Sequence, residues 1–280
     1  MTVAELAGWS LVVLAIGFAL WLLVHPWHER RRQPRGAAAR LTPAQQQALA
    51  DIAPGLPPLT PLLRDRLATR VAAFLADTRF HGAGGFVVDD ACRVAIAAQA
   101  CLLRLQPDAD GYPAVRDIVM YPDAFWVHHE APDELGLVDD EPDLLAGEAW
   151  DAGRVVLSWS DVQAALEGDP VNVVVHEFAH QLDFDRPDTT GAPPMDDYRE
   201  WSTVMREHFD DLRETGSPVL DPYGSENPAE FFAVAVETYI QNGADLARAH
   251  PDLYRLLDAY FGLGTAGPSR SLDSGAGSPG

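Results

Sequence analysis

His176-Glu177-Phe178-Ala179-His180 sets two imidazoles four residues apart with a carboxylate beside the first. On a helix such residues share a face, so both rings can bind one ion while the glutamate reaches a water on it. A divalent metal lowers the pKa of that water towards neutrality and a nearby carboxylate takes the proton, which is the chemistry of hydrolysis. The competing reading is a buried helix whose histidines are hydrogen bonded in the core. Two histidines and a glutamate among Val, Phe and Ala are costly to bury without a purpose, which favours the metal.

A catalytic zinc takes three protein ligands and keeps a fourth position open. Glu230, in Asn227-Pro228-Ala229-Glu230-Phe231-Phe232-Ala233, is the candidate for the third. The same residues read as a helix start, with Asn227 as cap, Pro228 in the first turn and Glu230 at the capping-box position, so ligand and cap stand level on local pattern. The run Phe231 to Val236 is apolar all round and predicts a helix buried in the domain centre, where a carboxylate does well to meet a cation. Asp183 follows on the face of His180 and Glu237 on the face of Glu230. Each is a candidate to orient a ligand rather than hold the ion, and Glu237 serves equally as a surface residue. His208, on an amphipathic helix, and His128-His129, at a strand end, read as surface residues. Tyr223, in Asp221-Pro222-Tyr223-Gly224, can donate to a developing oxyanion or simply pack a turn.

These groups need elements to hold them. Helical apolar spacing runs through Leu59 to Phe80 and through Asp89 to Gln106, the second opening on Asp89 and Asp90 as caps. Strand signals follow at residues 117–121, 125–128 and 154–159, with an acidic, loop-like stretch from Pro132 to Asp151 between the last two. Helical patterns then dominate from Asp161 to Phe261. The fold class is α+β: a small β-sheet precedes the helix of the His-Glu-x-x-His pentad in one domain over residues 59–262. The strand Arg154 to Trp159 is a candidate to pair with extended substrate. Residues 28–58, rich in Arg, Ala, Gln and Pro with a short helix after Thr42-Pro43, read as a linker, and residues 263–280 as a disordered tail.

Upstream, no charged residue interrupts Leu6 to Val24, with Trp9, Trp21 and Trp27 towards its two ends, so residues 1–27 read as one transmembrane anchor. Glu5 at its start and His25-Pro26-Trp27 at its end do not suit a cleaved signal peptide. Arg30, Arg31, Arg32, Arg35 and Arg40 follow and put the rest of the chain on the cytoplasmic face of the membrane; a buried core helix, and hence a protein of the cytoplasm, is the alternative. The 280-residue chain has 42 acidic residues against 20 basic ones, all arginine, for a formal charge of -22, which disfavours a nucleic-acid partner. Cys92 and Cys101 alone allow neither a disulfide framework nor a Cys-rich zinc site.

His176-Glu177-Phe178-Ala179-His180-Gln181-Leu182-Asp183, Tyr223 and the Asn-Pro-Ala-Glu-Phe-Phe-Ala run at 227–233 together resemble the Mlc titration factor A family of zinc peptidases. Tyr121-Pro122, Gly147-Glu148-Ala149-Trp150 and Val156-Leu157-Ser158-Trp159-Ser160 are similar to that family's sheet region. The resemblance implies a zincin-like, specifically gluzincin-like, metallopeptidase fold related to the catalytic domain of anthrax lethal factor. It implies one zinc on His176, His180 and Glu230, with Glu177 as general base and Tyr223 as oxyanion donor. The family's best-known member is a soluble cytosolic protein that binds the glucose repressor Mlc and has aminopeptidase-like activity. A peptide or protein substrate and a regulatory protein partner are therefore expected, and the membrane anchor departs from the family pattern.

Overall fold

The computed structural model describes residues 39–107, 109–123, 125–127, 143–145, 147–150, 153–184, 191–195 and 198–267. The expected membrane span, Arg30 to Arg35, His128-His129, most of the acidic stretch and residues 268–280 lie outside them. Among the described residues no helix is long and apolar enough to cross a membrane.

Helices and a small, mostly parallel sheet build the fold. Helix α1 (Pro43–Ile52) opens on a reciprocal cap between Thr42 and Gln45, with Pro43 in the first turn, where its missing N–H costs nothing. Leu41 and Leu56 are buried, and Leu49 and Ile52 pack against the core. The described part of the expected linker is thus packed onto the body. Its few apolar residues are spread too thinly to show helical periodicity, and only burial by distant partners distinguishes it from a tether.

Helix α2 (Pro61–Asp77) starts at Thr60, whose hydroxyl accepts from the Leu63 amide, and ends at Thr78 in extended backbone. The chain then enters strand β1 (Arg79–Gly82), which the sequence reading had merged into the helix. That strand is mostly exposed and carries no apolar alternation, so only its pairing with a neighbour defines it. Helix α3 (Asp90–Leu102), capped by Asp89, is buried from Val94 to Leu102.

Strands β2 (Asp117–Tyr121) and β6 (Arg154–Ser158) fall close to where their apolar runs predict. Strands β3 (Phe125–Val127) and β4 (Asp143–Leu145) form a separate antiparallel pair, and β5 (Gly147–Trp150) joins the main sheet. The sheet order is β1-β2-β6-β5, with β1, β2 and β6 parallel and β5 antiparallel to β6. Strand β6 therefore has partners on both sides, and its main-chain groups are not free to pair with a substrate, contrary to the expectation for that segment. The edge of this sheet beside β6 is β5.

Ser158 ends β6 and caps helix α4 (Trp159–Glu167), which stops at Gly168 in the left-handed conformation. Helix α5 (Val173–Phe184) carries the His-Glu-x-x-His pentad. Helix α6 (Arg199–Thr215) is amphipathic, and helix α7 (Pro228–Gln241) is buried continuously from Phe231 to Ile240, as its all-round apolar run predicts. Helices α8 (Gly243–Ala249) and α9 (Pro251–Phe261) close the body. The ordered chain continues past Phe261: the Tyr239 hydroxyl accepts from the Leu263 amide, Asp258 from Gly264 and the Tyr254 hydroxyl from Ala266. Residues 263–267 are thus held by side chains from α7 and α9, which composition alone does not reveal.

Helix α5 is anchored by its apolar face. Phe178 is fully buried, with its ring centroid 4.7 Å from that of Tyr112 and 5.7 Å from that of Phe74, both edge-on. Replacing Phe178 by Ala should cost about 3–5 kcal/mol of stability, read as a lower denaturant midpoint at unchanged slope.

Candidate metal centre

Asn172 begins α5 by accepting the Val175 amide on Oδ1 at 3.0 Å, which satisfies one of the donors left open at a helix start. Val174, Val175, Phe178, Ala179 and Leu182 face the core. His176 and His180 are thereby turned together to the opposite side, their ring centroids 4.9 Å apart. Helix α7 crosses this face. Asn227 caps it by accepting from Ala229 and Glu230, and Glu230, in the first turn, points its carboxylate at both rings. The two readings of Glu230 come apart here: its backbone amide serves the cap while its side chain serves the histidines.

His176 Nε2 lies 3.1 Å from Glu230 Oε2, His180 Nε2 lies 3.3 Å from the same oxygen, and the two Nε2 atoms are 3.3 Å apart. His176, His180 and Glu230 form the group able to hold a metal ion among the described residues, with ligand atoms within 4.8 Å of one another. Tetrahedral bonds of about 2.0–2.1 Å place donor atoms about 3.3 Å apart, so these three atoms already have the spacing of one face of such a shell. Two imidazoles and one carboxylate are also donors that suit zinc, and as three ligands they would leave a fourth coordination position open.

Glu237, two turns along α7 from Glu230, is buried and accepts from both sides. Its Oε2 lies 3.1 Å from His176 Nδ1 and its Oε1 accepts the Asn172 amide at 2.8 Å. The first contact holds the proton of His176 on Nδ1 and leaves Nε2 for the ion. Asp183 takes a different role from the one expected: its Oδ1 accepts the Ala192 amide at 3.1 Å. At the end of α5 a short carboxylate reaches a backbone amide nine residues on, and Asp183 so links the pentad helix to Ala192. Glu177 is buried beside His176. The Tyr223 ring lies on the short 3-10 turn Pro222–Ser225, half exposed, with its centroid 6.0 Å from that of His176. His208 stands apart from this cluster, its Nε2 3.0 Å from Asp252 Oδ1, and is largely buried rather than solvated.

Asn172 and Gln241 carry polar contacts around this centre that the sequence reading did not single out. Glu230, Glu237 and Gln241 form one polar stripe on an otherwise apolar helix, and that spacing was the available signal.

The site's electrostatics follow from its geometry. Burial pulls the His176 imidazole down, but hydrogen bonds to Glu230 and Glu237 and the charges of Glu237 and Glu177 outweigh it and hold the ring up at about 10. Burial pushes Glu230 up, and the two histidines outweigh that, holding it at about 2.

Two histidines and a glutamate at this spacing on a sheet-and-helix body have the composition of a metallopeptidase centre. The sequence profile of the glucose-regulated metallo-peptidase M90 family matches residues 26–262, and the chain belongs to that family. A Synechocystis protein is 37% identical over 257 residues, covering 88% of this chain and 91% of its own length. Mlc titration factor A of Pectobacterium atrosepticum is 29% identical over 245 residues, 84% of this chain and 90% of its own. Mlc titration factor A of Escherichia fergusonii is 29% identical over 230 residues, 79% and 86% respectively.

In the metal-free protein the His176 pair stabilises fully below the ordinary value of 6.5 and its contribution fades as pH rises through about 10. Glu230 contributes above the ordinary value of 4.5 and is lost as pH falls through about 2. A metal must displace the proton on His176 Nε2, so its binding runs the other way and strengthens with pH. Melting temperatures with added zinc and with chelator should therefore diverge steadily as pH is raised from about 6 to about 9, and zinc uptake should release protons.

Proposed function

We propose that this chain is a zinc-dependent peptidase of gluzincin-like construction, with His176 and His180 from the pentad helix and Glu230 from a later helix as the ligands. The observation that carries this reading is the spacing of 3.1 to 3.3 Å among the three donor atoms, in a chain of a metallopeptidase family. When bound, zinc supplies Lewis acidity that polarises a scissile carbonyl and makes water a nucleophile near neutral pH.

The residues of the chain do the rest. Glu177 takes the proton of the attacking water and returns it to the leaving amine. Its place next to His176 on the pentad helix, buried at 6% exposure, favours that role. Tyr223, at the rim of the site, donates its phenolic proton in a hydrogen bond to the oxyanion. Glu237 keeps the His176 ring oriented throughout. Extended substrate pairs with β5, the strand edge that packs beside α5. Aminopeptidase-like trimming is the activity in keeping with the family resemblance. We place the enzyme at the cytoplasmic face of the inner membrane, because residues 6–24 carry no charge and arginines follow.

A second reading comes from the relatives called Mlc titration factor A: a membrane-tethered domain that sequesters a transcriptional regulator. Glu177 favours hydrolysis, because a scaffold has no use for a base within the pentad.

Glu177→Gln should lower kcat for a peptide library about 10²–10⁴-fold with zinc content unchanged, and Tyr223→Phe about 10²-fold. Full activity of zinc-loaded Glu177→Gln would exclude the mechanism, and regulator binding that survives with no wild-type hydrolysis would support the second reading. The full chain should stay with alkali-washed membranes, whereas a chain starting at Ala39 should be released.

A further inference from the structure

Beyond the ligands, a continuous line of hydrogen bonds runs from the end of α4 to the metal-facing ring. Gln241 Nε2 donates to the carbonyls of Ala165 at 2.9 Å and Asp169 at 2.7 Å, so its amide is fixed against the last turn of α4 and the residues beyond. Its Oε1 accepts from Asn172 Nδ2 at 3.3 Å. Asn172, almost fully buried, uses its Oδ1 on the Val175 amide and donates its own backbone N–H to Glu237 Oε1. Glu237 Oε2 then meets His176 Nδ1. Every polar atom of the Gln241, Asn172 and Glu237 side chains has a partner in this line, and the order of donors and acceptors fits one arrangement only.

We propose that Gln241 and Asn172 are positioning residues for the metal-binding ring of His176, acting through Glu237. The proposal rests on the metallopeptidase reading. Glu237 can serve its two donors, the Asn172 amide and the His176 Nδ1–H, because a carboxylate offers two acceptor oxygens. A glutamine there offers one oxygen and one NH2, so one of the two donors loses its acceptor. With its oxygen on the Asn172 amide, the NH2 faces Nδ1 and drives the ring proton to Nε2, the nitrogen the ion needs. Gln241 sets the orientation of the Asn172 side chain: its NH2 is committed to the two carbonyls, so its oxygen must face Asn172 Nδ2, which leaves Asn172 Oδ1 for the Val175 amide and holds in place the residue whose backbone N–H binds Glu237. The lateral position of the carboxylate, and with it the aim of the His176 ring, is thereby referred to α4 as well as to α7.

The test uses the purified full chain in detergent, with Zn2+ and Co2+ as probes, well below the melting temperature. Chelator competition should show that Glu237→Gln weakens zinc about 10–100-fold and Gln241→Met about 3–10-fold, and both should shift the visible ligand-field bands of the cobalt form. In the Glu237→Gln background, Gln241→Met should add nothing, since the line is already cut downstream. Gln241→Leu, which keeps the site's volume with a stiffer side chain, replaces Gln241→Met should the latter fail to fold. A merely structural Gln241 would lower the metal-free melting temperature while leaving zinc affinity and cobalt spectrum as in wild type, or would weaken zinc equally in both backgrounds; either result overturns the proposal. A wild type that binds neither ion overturns the metallopeptidase reading and this proposal together, whereas a zinc-binding wild type with equally tight variants overturns this one alone.

Discussion

Three donor atoms on two helices have to stay within about half an ångström of a fixed triangle, because a metal shell tolerates little more than that. Everything else in the domain serves the packing of α5 on α7 that achieves it. Helix α5 presents His176 and His180 on one side and buries Val174, Val175, Phe178 and Leu182 on the other, while α7 is buried along nearly its whole length. A helix enclosed on all sides cannot rotate about its axis without opening cavities, so Glu230 is aimed by the apolar residues that follow it. Glu237 adds a polar cross-link between the same two helices at the ring of His176.

The same geometry sets the charge balance. Glu177, Glu230 and Glu237 surround His176, in a protein whose formal charge is already -22. Such a collection of carboxylates calls for a cation in its centre. In the metal-free state the second proton of His176 meets that need, and the elevated imidazole and depressed Glu230 are two expressions of one ion pair. A divalent ion bound there would take over the position of that proton. Proton and metal would compete for one nitrogen.

The sheet contributes placement rather than chemistry. Its parallel strands direct β6 into Ser158, the cap of α4, and α4 ends one turn before Asn172, the cap of α5. Gly168, at a φ of 107°, lets the chain leave α4 in the left-handed conformation that a residue with a Cβ would make strained. Gln241 binds this connection through the carbonyls of Ala165, in the last turn of α4, and Asp169, just beyond it. The pentad helix is therefore fixed at its start by the sheet and by α7 at once, while Asp183 near its end binds the amide of Ala192.

The amino-acid sequence by itself determined the pentad and its helix, the cap and the all-round apolar run of α7, the strand at 117–121 and, to within one residue, the strand read at 154–159, and membership of a family whose motifs are local. These are legible because side-chain periodicity, caps and short motifs are properties of neighbouring residues. Tertiary structure decided whether Glu230 serves as cap or faces the histidines, since the answer depends on a helix fifty-odd residues upstream. It decided that Glu237 meets a ring and Asp183 a backbone amide, although both lay on suitable faces. It also decided that residues 41–58 and 263–267 belong to the packed body, that β1 is a strand and that β6 is an interior one. Each of these turns on a partner remote in the chain, and periodicity along one segment carries no information about which distant group will fill the space beside it.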